Sequence, residues 1–218
     1  MRQPPLSLSE QAYSQIRSMI VRLDFAPGDV LREDTLQRQL GIGRTPIREA
    51  LQRLAREHFI TVIPRRGMFV SGIDVSELSM LFETRMVLEP YAARLAAARG
   101  TSEHWNAMAD ALAQPSSANI EMMAIDRSSH EIMWDAADNR FLLDPLDTLY
   151  AQSDRLWHLY LADVADMKHA VEEHTEILNA LKSGQGNLAA RLVEQHLRSF
   201  DEQIRAAVTE RLESPLAG

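Results

Sequence analysis

The sequence predicts a mainly α protein in two parts, an N-terminal winged helix-turn-helix and a C-terminal all-α helical bundle. Three observations lead there. The first seventy residues order themselves as helix, helix, turn, helix and hairpin. Beyond residue 74 the apolar residues recur at helical spacing with no strand pattern. The charge also divides along the chain. Residues 1–74 carry 11 Arg against 8 acidic residues, whereas the remainder carries 12 basic against 23 acidic, within a net charge of −8. A mildly basic head on an acidic body suits a chain whose head alone meets phosphate, although so small a surplus does not decide the point.

The elements follow in order. Tyr13, Ile16, Ile20 and Leu23 form the apolar stripe of a first helix, which Ala26-Pro27-Gly28-Asp29 interrupts with turn chemistry. A second short helix spans Glu33 to Leu40, with acidic residues in its first turn and Gly41 at its end. Thr45-Pro46 reads as an N-cap followed by a proline in the first helical position, and Ile47, Ala50, Leu51 and Leu54 form the inward stripe of a third helix. Phe59–Ile63 and Met68–Val70 read as two strands joined by a loop over Pro64-Arg65-Arg66-Gly67. Gly72-Ile73-Asp74 is the expected linker, dividing residues 1–73 from residues 74–218. The body is expected as six helices at 76–99, 102–114, 117–137, 140–161, 166–183 and 186–212.

Composition removes several classes of chemistry. The 218 residues include no cysteine, which excludes disulfides, thiolate zinc sites, iron–sulfur clusters and cysteine nucleophiles. Met1–Ser9 contains no apolar run of the kind a signal peptide requires. No stretch approaches the roughly 20 apolar residues of a membrane helix, so a cytoplasmic address without a membrane partner is expected.

On the third helix Arg44, Arg48 and Gln52 fall four residues apart, on the face opposite the apolar stripe. Arginine can grip guanine bidentately and glutamine can pair with adenine, which suits the DNA major groove. Thr45 at the helix start can reach a phosphate. Arg65, Arg66 and Gly67 at the hairpin tip suit a wing against the backbone or minor groove. A helix with such a face in isolation is most often merely solvated; the ordered elements around it favour DNA.

The run Leu40-Gly41-Ile42-Gly43-Arg44-Thr45-Pro46-Ile47-Arg48-Glu49-Ala50-Leu51, followed by Arg65-Arg66-Gly67 and Val70, resembles the signature of GntR-type bacterial regulators. The resemblance covers about the first seventy residues and implies that Arg44, Thr45 and Arg48 contact DNA from the reading helix and Gly67 from the wing. Gly43 stands where many members carry serine or threonine, and Asp34 where some carry a DNA-contacting arginine, so neither contact is carried over.

In the body, four polar residues lie on otherwise apolar stripes. Asp126 and His130 are four apart beside Met122, Met123, Met133 and Ala137. His174 lies among Val171, Ile177, Leu178 and Leu181, and His196 among Leu192, Val193, Phe200 and Ile204. Burying such groups is costly unless they are paired or hold a metal. Three imidazoles and a carboxylate from three helices suit Zn²⁺, with Ni²⁺, Mn²⁺ or Fe²⁺ as alternatives. Spacing alone leaves this open against a set of satisfied polar core residues. His58, His104, His158 and His169 show no comparable pattern and read as structural.

Asp126-x-x-x-His130, Ala136-Ala137-Asp138-Asn139, Glu173-His174 and His196-Leu197 resemble the metal-binding, six-helix variety of the FCD ligand domain found in one large GntR subfamily. That resemblance implies a divalent metal at Asp126, His130, His174 and His196, a small organic acid completing its coordination, and a homodimer formed through the body. Ser129 replaces the aromatic residue that often precedes the first histidine. Arg85 matches a family position facing the cavity and can hold a carboxylate bidentately, with Arg155 a second candidate; a structural salt bridge is the alternative for both. The expected function is a transcriptional regulator, a repressor by family habit, that binds an inverted-repeat operator in double-stranded DNA and answers to a small carboxylate. Two other readings stand beside it: a metal-dependent hydrolase, for which no separate general base is evident, and a metal-free DNA-binding protein.

Overall fold

In the computed structural model, which describes residues 6–72, 75–114, 118–160 and 167–213, helix α1 (Leu8–Val21) begins at a capping box. Ser7 Oγ accepts from the Glu10 backbone N–H at 3.2 Å, and the Glu10 carboxylate accepts from the Ser7 N–H at 3.1 Å. The helix buries Ala12, Tyr13, Ile16 and Ile20, as the stripe requires. Leu23 leaves that stripe: the helix ends at Val21, and Leu23 takes a left-handed backbone (φ 62°) that turns the chain toward Asp29.

Helix α2 (Glu33–Leu40) stops at Gly41, whose φ of 68° supplies the left-handed cap that glycine adopts without a Cβ clash. Helix α3 (Arg44–Arg56) starts earlier than Thr45-Pro46 suggests. Gly43 is its N-cap, Arg44 its first residue and Pro46 its third. Proline is tolerated there because the first-turn N–H groups have no acceptor within the helix in any case.

Three strands form one antiparallel sheet in the order β1-β3-β2, with β1 at Val30–Leu31, β2 at Ile60–Ile63 and β3 at Gly67–Val70. The registers are Val30 opposite Phe69, Thr61 opposite Phe69 and Ile63 opposite Gly67. β1 was not expected, because two residues carry no readable alternation. Phe59 precedes β2 and is fully buried. It closes a core with Ile16 and Ile20 of α1, Leu36 of α2 and Ile47, Leu51 and Leu54 of α3.

The described residues divide into two units, Met1–Asp74 with Asp154–Leu159, and Val75–Ser153 with Tyr160–Gly218. Helices α4 (Val75–Arg99), α5 (Ser102–Leu112), α6 (Asn119–Ala136), α7 (Arg140–Tyr160), α8 (Met167–Lys182) and α9 (Gly186–Glu213) follow the expected order within a few residues at each end. The expected linker residues Ile73 and Asp74 and the expected helix ends Ser117, Leu161 and Asp166 lie outside the described residues. α4 packs chiefly on α9 and α6, and α8 on α9, α6 and α5. Fully buried alanines at 92, 93 and 96 on α4 and at 189 and 190 on α9 let their backbones approach closely. Trp134, Leu146, Ile177, Leu181, Val193 and Leu197 fill the core around them. Arg99 donates to the Ala137 carbonyl at 2.8 Å, placing a cation on the exposed carbonyls that end α6.

Candidate metal centre and nucleic-acid interface

The four-residue spacing on α6 puts Asp126 and His130 on one face, and α8 and α9 bring His174 and His196 to the same point in the second unit. None of the four is more than 3% exposed. One donor atom from each lies within 4.8 Å of all the others. His58, His104, His158 and His169 stand outside this cluster. His104 accepts from the Thr101 N–H at 3.0 Å, and His158 lies 3.6 Å from Asp154, both as local structural partners.

The outer nitrogen of each imidazole faces an oxygen. His174 Nδ1 donates to the Ala170 carbonyl at 2.9 Å, and His196 Nδ1 meets Glu173 at 2.8 Å. His130 Nδ1 lies 2.6 Å from a carboxylate oxygen of Glu89, which is fully buried. A carbonyl or carboxylate there keeps the proton on Nδ1 and leaves the Nε2 lone pair facing inward. The fourth donor is oriented in the same manner: Tyr150 of α7 donates to Asp126 Oδ2 at 2.6 Å. The inward atoms fit a cation. His130 Nε2 and His196 Nε2 face each other at 3.4 Å, while buried Asp126 Oδ1 and His174 Nε2 have no hydrogen-bond partner.

The electrostatics are those of a crowded ligand set. Burial disfavours ionised Asp126, yet His174, His196 and His130 hold its carboxyl well below the usual carboxylate range. Burial and the neighbouring His196 push His174 down to about 3. His196 moves the other way: burial opposes its cation, but the neighbouring carboxylates of Asp126 and Glu173 hold it up at about 9. His174 and His196 are thus pushed in opposite directions, as neighbouring imidazoles that compete for charge are. The donor set can hold a metal ion.

Glu89, Tyr150 and Glu173 were not assigned roles from sequence. Glu173 directly precedes His174, and Glu89 follows Arg85 by four residues on α4, a spacing that pairs them. Tyr150 leaves no such trace. Arg85 is buried and its Nε donates to Glu89 at 2.5 Å, while its guanidinium lies 5.1 Å from the Tyr150 ring centre. Arg155 is also buried, but its guanidinium donates to the Ser71 carbonyl rather than to a member of the cluster. Burial lowers Arg155 to about 10, still leaving it charged at neutral pH.

In the first unit, Arg44, Thr45, Arg48 and Gln52 are all exposed on α3. Arg48 donates through Nε and Nη2 to the two carboxylate oxygens of Glu33 at 2.9 and 3.1 Å, and Arg44 Nε lies 3.4 Å from the same group. Glu33, which sequence marked only as a first-turn acid, thus gathers both guanidinium groups, and their bonds hold it below the usual carboxylate range. Arg65, Arg66 and Gly67 are exposed at the hairpin, where Gly67 (φ 117°) has open space around it for a backbone to approach.

A helix-turn-helix and wing that expose cations, beside a helical unit that buries a polar cluster, define a DNA-binding transcriptional regulator. Comparison with known proteins agrees. The family model for bacterial regulatory proteins of the gntR family matches residues 8–70, and that for the FCD domain matches residues 80–199. The chain belongs to the GntR family of bacterial transcriptional regulators, in the branch that carries an FCD domain, and it is a regulator rather than an enzyme. Members of this family bind DNA as dimers, and the FCD domain often binds metal.

It is 32% identical over 200 residues to the Nta operon transcriptional regulator of Aminobacter aminovorans, covering 88% of this chain and 94% of that one. It is 27% identical over 208 residues to the HTH-type transcriptional repressor RspR of Escherichia coli strain K12, covering 93% and 91%. The solved structure of E. coli McbR/YncC shares the fold, with a TM-score of 0.82 at 20% identity over 95% of this chain and 100% of that one. Among the described residues no helix is long and apolar enough to cross a membrane.

Proposed function

We propose that this regulator reads an inverted-repeat operator as a homodimer and changes its grip on DNA when a small organic acid reaches a divalent-metal centre. The observation that carries this reading is the buried Asp126, His130, His174 and His196 set, whose donors converge within 4.8 Å on a chain that also bears a reading helix. Zinc is the metal such a donor set suits, with nickel, manganese or iron as the alternatives that metal analysis separates. When bound, the metal supplies a Lewis-acid anchor for a carboxylate oxygen. Arg85 is the side chain we assign to the acid's other end, because a buried guanidinium offers paired donors. Arg155 is the weaker candidate, since it already serves Ser71.

Residues 1–73 are assigned to DNA and residues 74–218 to the effector and the dimer contact. Arg44, Arg48 and Gln52 read bases, Thr45 takes a phosphate, and Arg65, Arg66 and Gly67 form the wing contact. With chromosomal DNA as its partner, the protein works in the cytoplasm. The acid acts only so far as it binds the on-DNA and off-DNA arrangements unequally. We take repression relieved by the acid as the direction, in keeping with the repressor named among its relatives.

The test is metal analysis of protein purified without chelators, followed by band-shift titration with a panel of small carboxylates. Stoichiometric metal and an acid that shifts operator affinity are expected. Metal-free protein whose DNA binding no acid alters would sink the sensing half of this reading.

A further inference from the structure

Arg85, Glu89 and His130 form one continuous buried chain, in which Glu89 joins the side chain assigned to the acid to one assigned to the metal. Glu89 is fully buried, and its two oxygens face different partners. Oε1 accepts from Arg85 Nε at 2.5 Å, while Oε2 lies 2.6 Å from His130 Nδ1. Arg85 and His130 are themselves only 2% and 1% exposed. Water therefore neither screens nor replaces either link, and one carboxylate divides its negative charge between an arginine and an imidazole.

The geometry points to Glu89 as a positioning residue that couples the Arg85 guanidinium to the metal ligand His130. This rests on the metal-centred reading above and adds the route by which its two halves communicate. Glu89 does not face the inward donor atoms; it orients His130 and tunes how strongly Nε2 donates, as an outer carboxylate does for a ligating imidazole. Whatever draws the guanidinium away from Oε1 leaves more of the carboxylate to His130. A carboxylate ligand captured by Arg85 would do this, so acid and metal would strengthen each other's binding by the same factor. Tyr150 offers a second link, since its ring centre lies 5.1 Å from the Arg85 guanidinium and its hydroxyl donates to Asp126 Oδ2 at 2.6 Å, whereas Glu89 meets both the arginine and the imidazole through the oxygens of one carboxylate.

The experiment uses Zn²⁺ alone on the full chain, in wild type, Arg85→Met, Glu89→Gln and the double variant, with affinities from chelator competition. Glu89→Gln is expected to weaken zinc binding by about 10- to 100-fold and to move the visible absorption bands of the Co²⁺-loaded protein. Arg85→Met, remote from the donor atoms, is expected to change zinc affinity by at least about fivefold in the wild-type background and by less than about twofold beside Glu89→Gln. Equal effects in both backgrounds, or no effect in either, overturn the coupling. Should Glu89→Gln not fold, nitrogen-15 spectra of the wild type carry the test. The Arg85 Nε–H resonance should move in step with zinc uptake, and one that stays still while zinc binds overturns the inference. A wild-type chain that takes up no zinc, nickel, manganese or iron overturns the metal reading itself, and the coupling with it.

Discussion

Removing His174 separates the contribution of the proposed metal from that of the fold. Its Nδ1 is satisfied by the Ala170 carbonyl and its buried Nε2 has no partner, and His174→Ala leaves Asp126 with Tyr150 and His196 still beside it. The same change at His196 would strand Glu173, and at His130 it would strand Glu89. With free zinc at one hundred times its dissociation constant, binding stabilises the wild type by about 2.7 kcal/mol. For a chain of 218 residues each kcal/mol moves the melting temperature by roughly 2–4 °C, giving a rise of about 5–11 °C over chelator-treated protein. Losing one of four ligands should weaken binding by at least the ~100-fold seen at the upper end for outer partners. At the same zinc concentration that leaves about 0.4 kcal/mol, or ~1–2 °C. Melts followed by circular dichroism, with zinc and with EDTA, measure both differences. The cavity left in the variant lowers both of its curves together and cancels. A wild type that does not respond to zinc, or a variant that responds as fully, refutes the reasoning.

Further outcomes are expected. Zinc must displace the proton that His196 holds with a value of about 9, so apparent affinity should fall by about tenfold per pH unit from pH 8 to 6. Calorimetry in two buffers should register proton release from His196 and none from His174 at about 3. In metal-free protein the stability contributed by His196 is full below pH ~6.5 and is lost as the pH climbs through about 9, which chemical denaturation at several pH values will follow. Arg48→Ala should cost operator binding about 5- to 150-fold and relax base preference, whereas Arg66→Ala should weaken all sequences alike and reduce the salt slope by about one; equal behaviour would reassign Arg48 to phosphate. Glu33→Gln loosens Arg44 and Arg48 and removes a negative charge, so binding to random DNA should tighten while operator preference narrows in band shifts. Gly41→Ala meets open space but keeps φ near 68°, so it should cost about 1 kcal/mol of unfolding free energy from conformation alone.

Much of this molecule was legible along the chain, because its elements announce themselves locally. Apolar stripes of period 3.6 marked the helices, Gly41 marked a helix end, and the four-residue interval paired Asp126 with His130. The strand β1 escaped because two residues hold no period. The start of α3 was misplaced because Gly43 caps through its backbone and offers no side chain to read. What sequence alone determined was therefore the inventory: a reading helix with its cations, and a body whose buried faces carry three imidazoles and a carboxylate. Only the tertiary structure decided who holds whom. Glu89 behind His130, Glu173 behind His196, Tyr150 on Asp126 and Glu33 between Arg44 and Arg48 are each set by how separate helices pack or turn. Periodicity records which way a side chain faces along its own helix, whereas a partner is chosen by the distance and burial that packing creates.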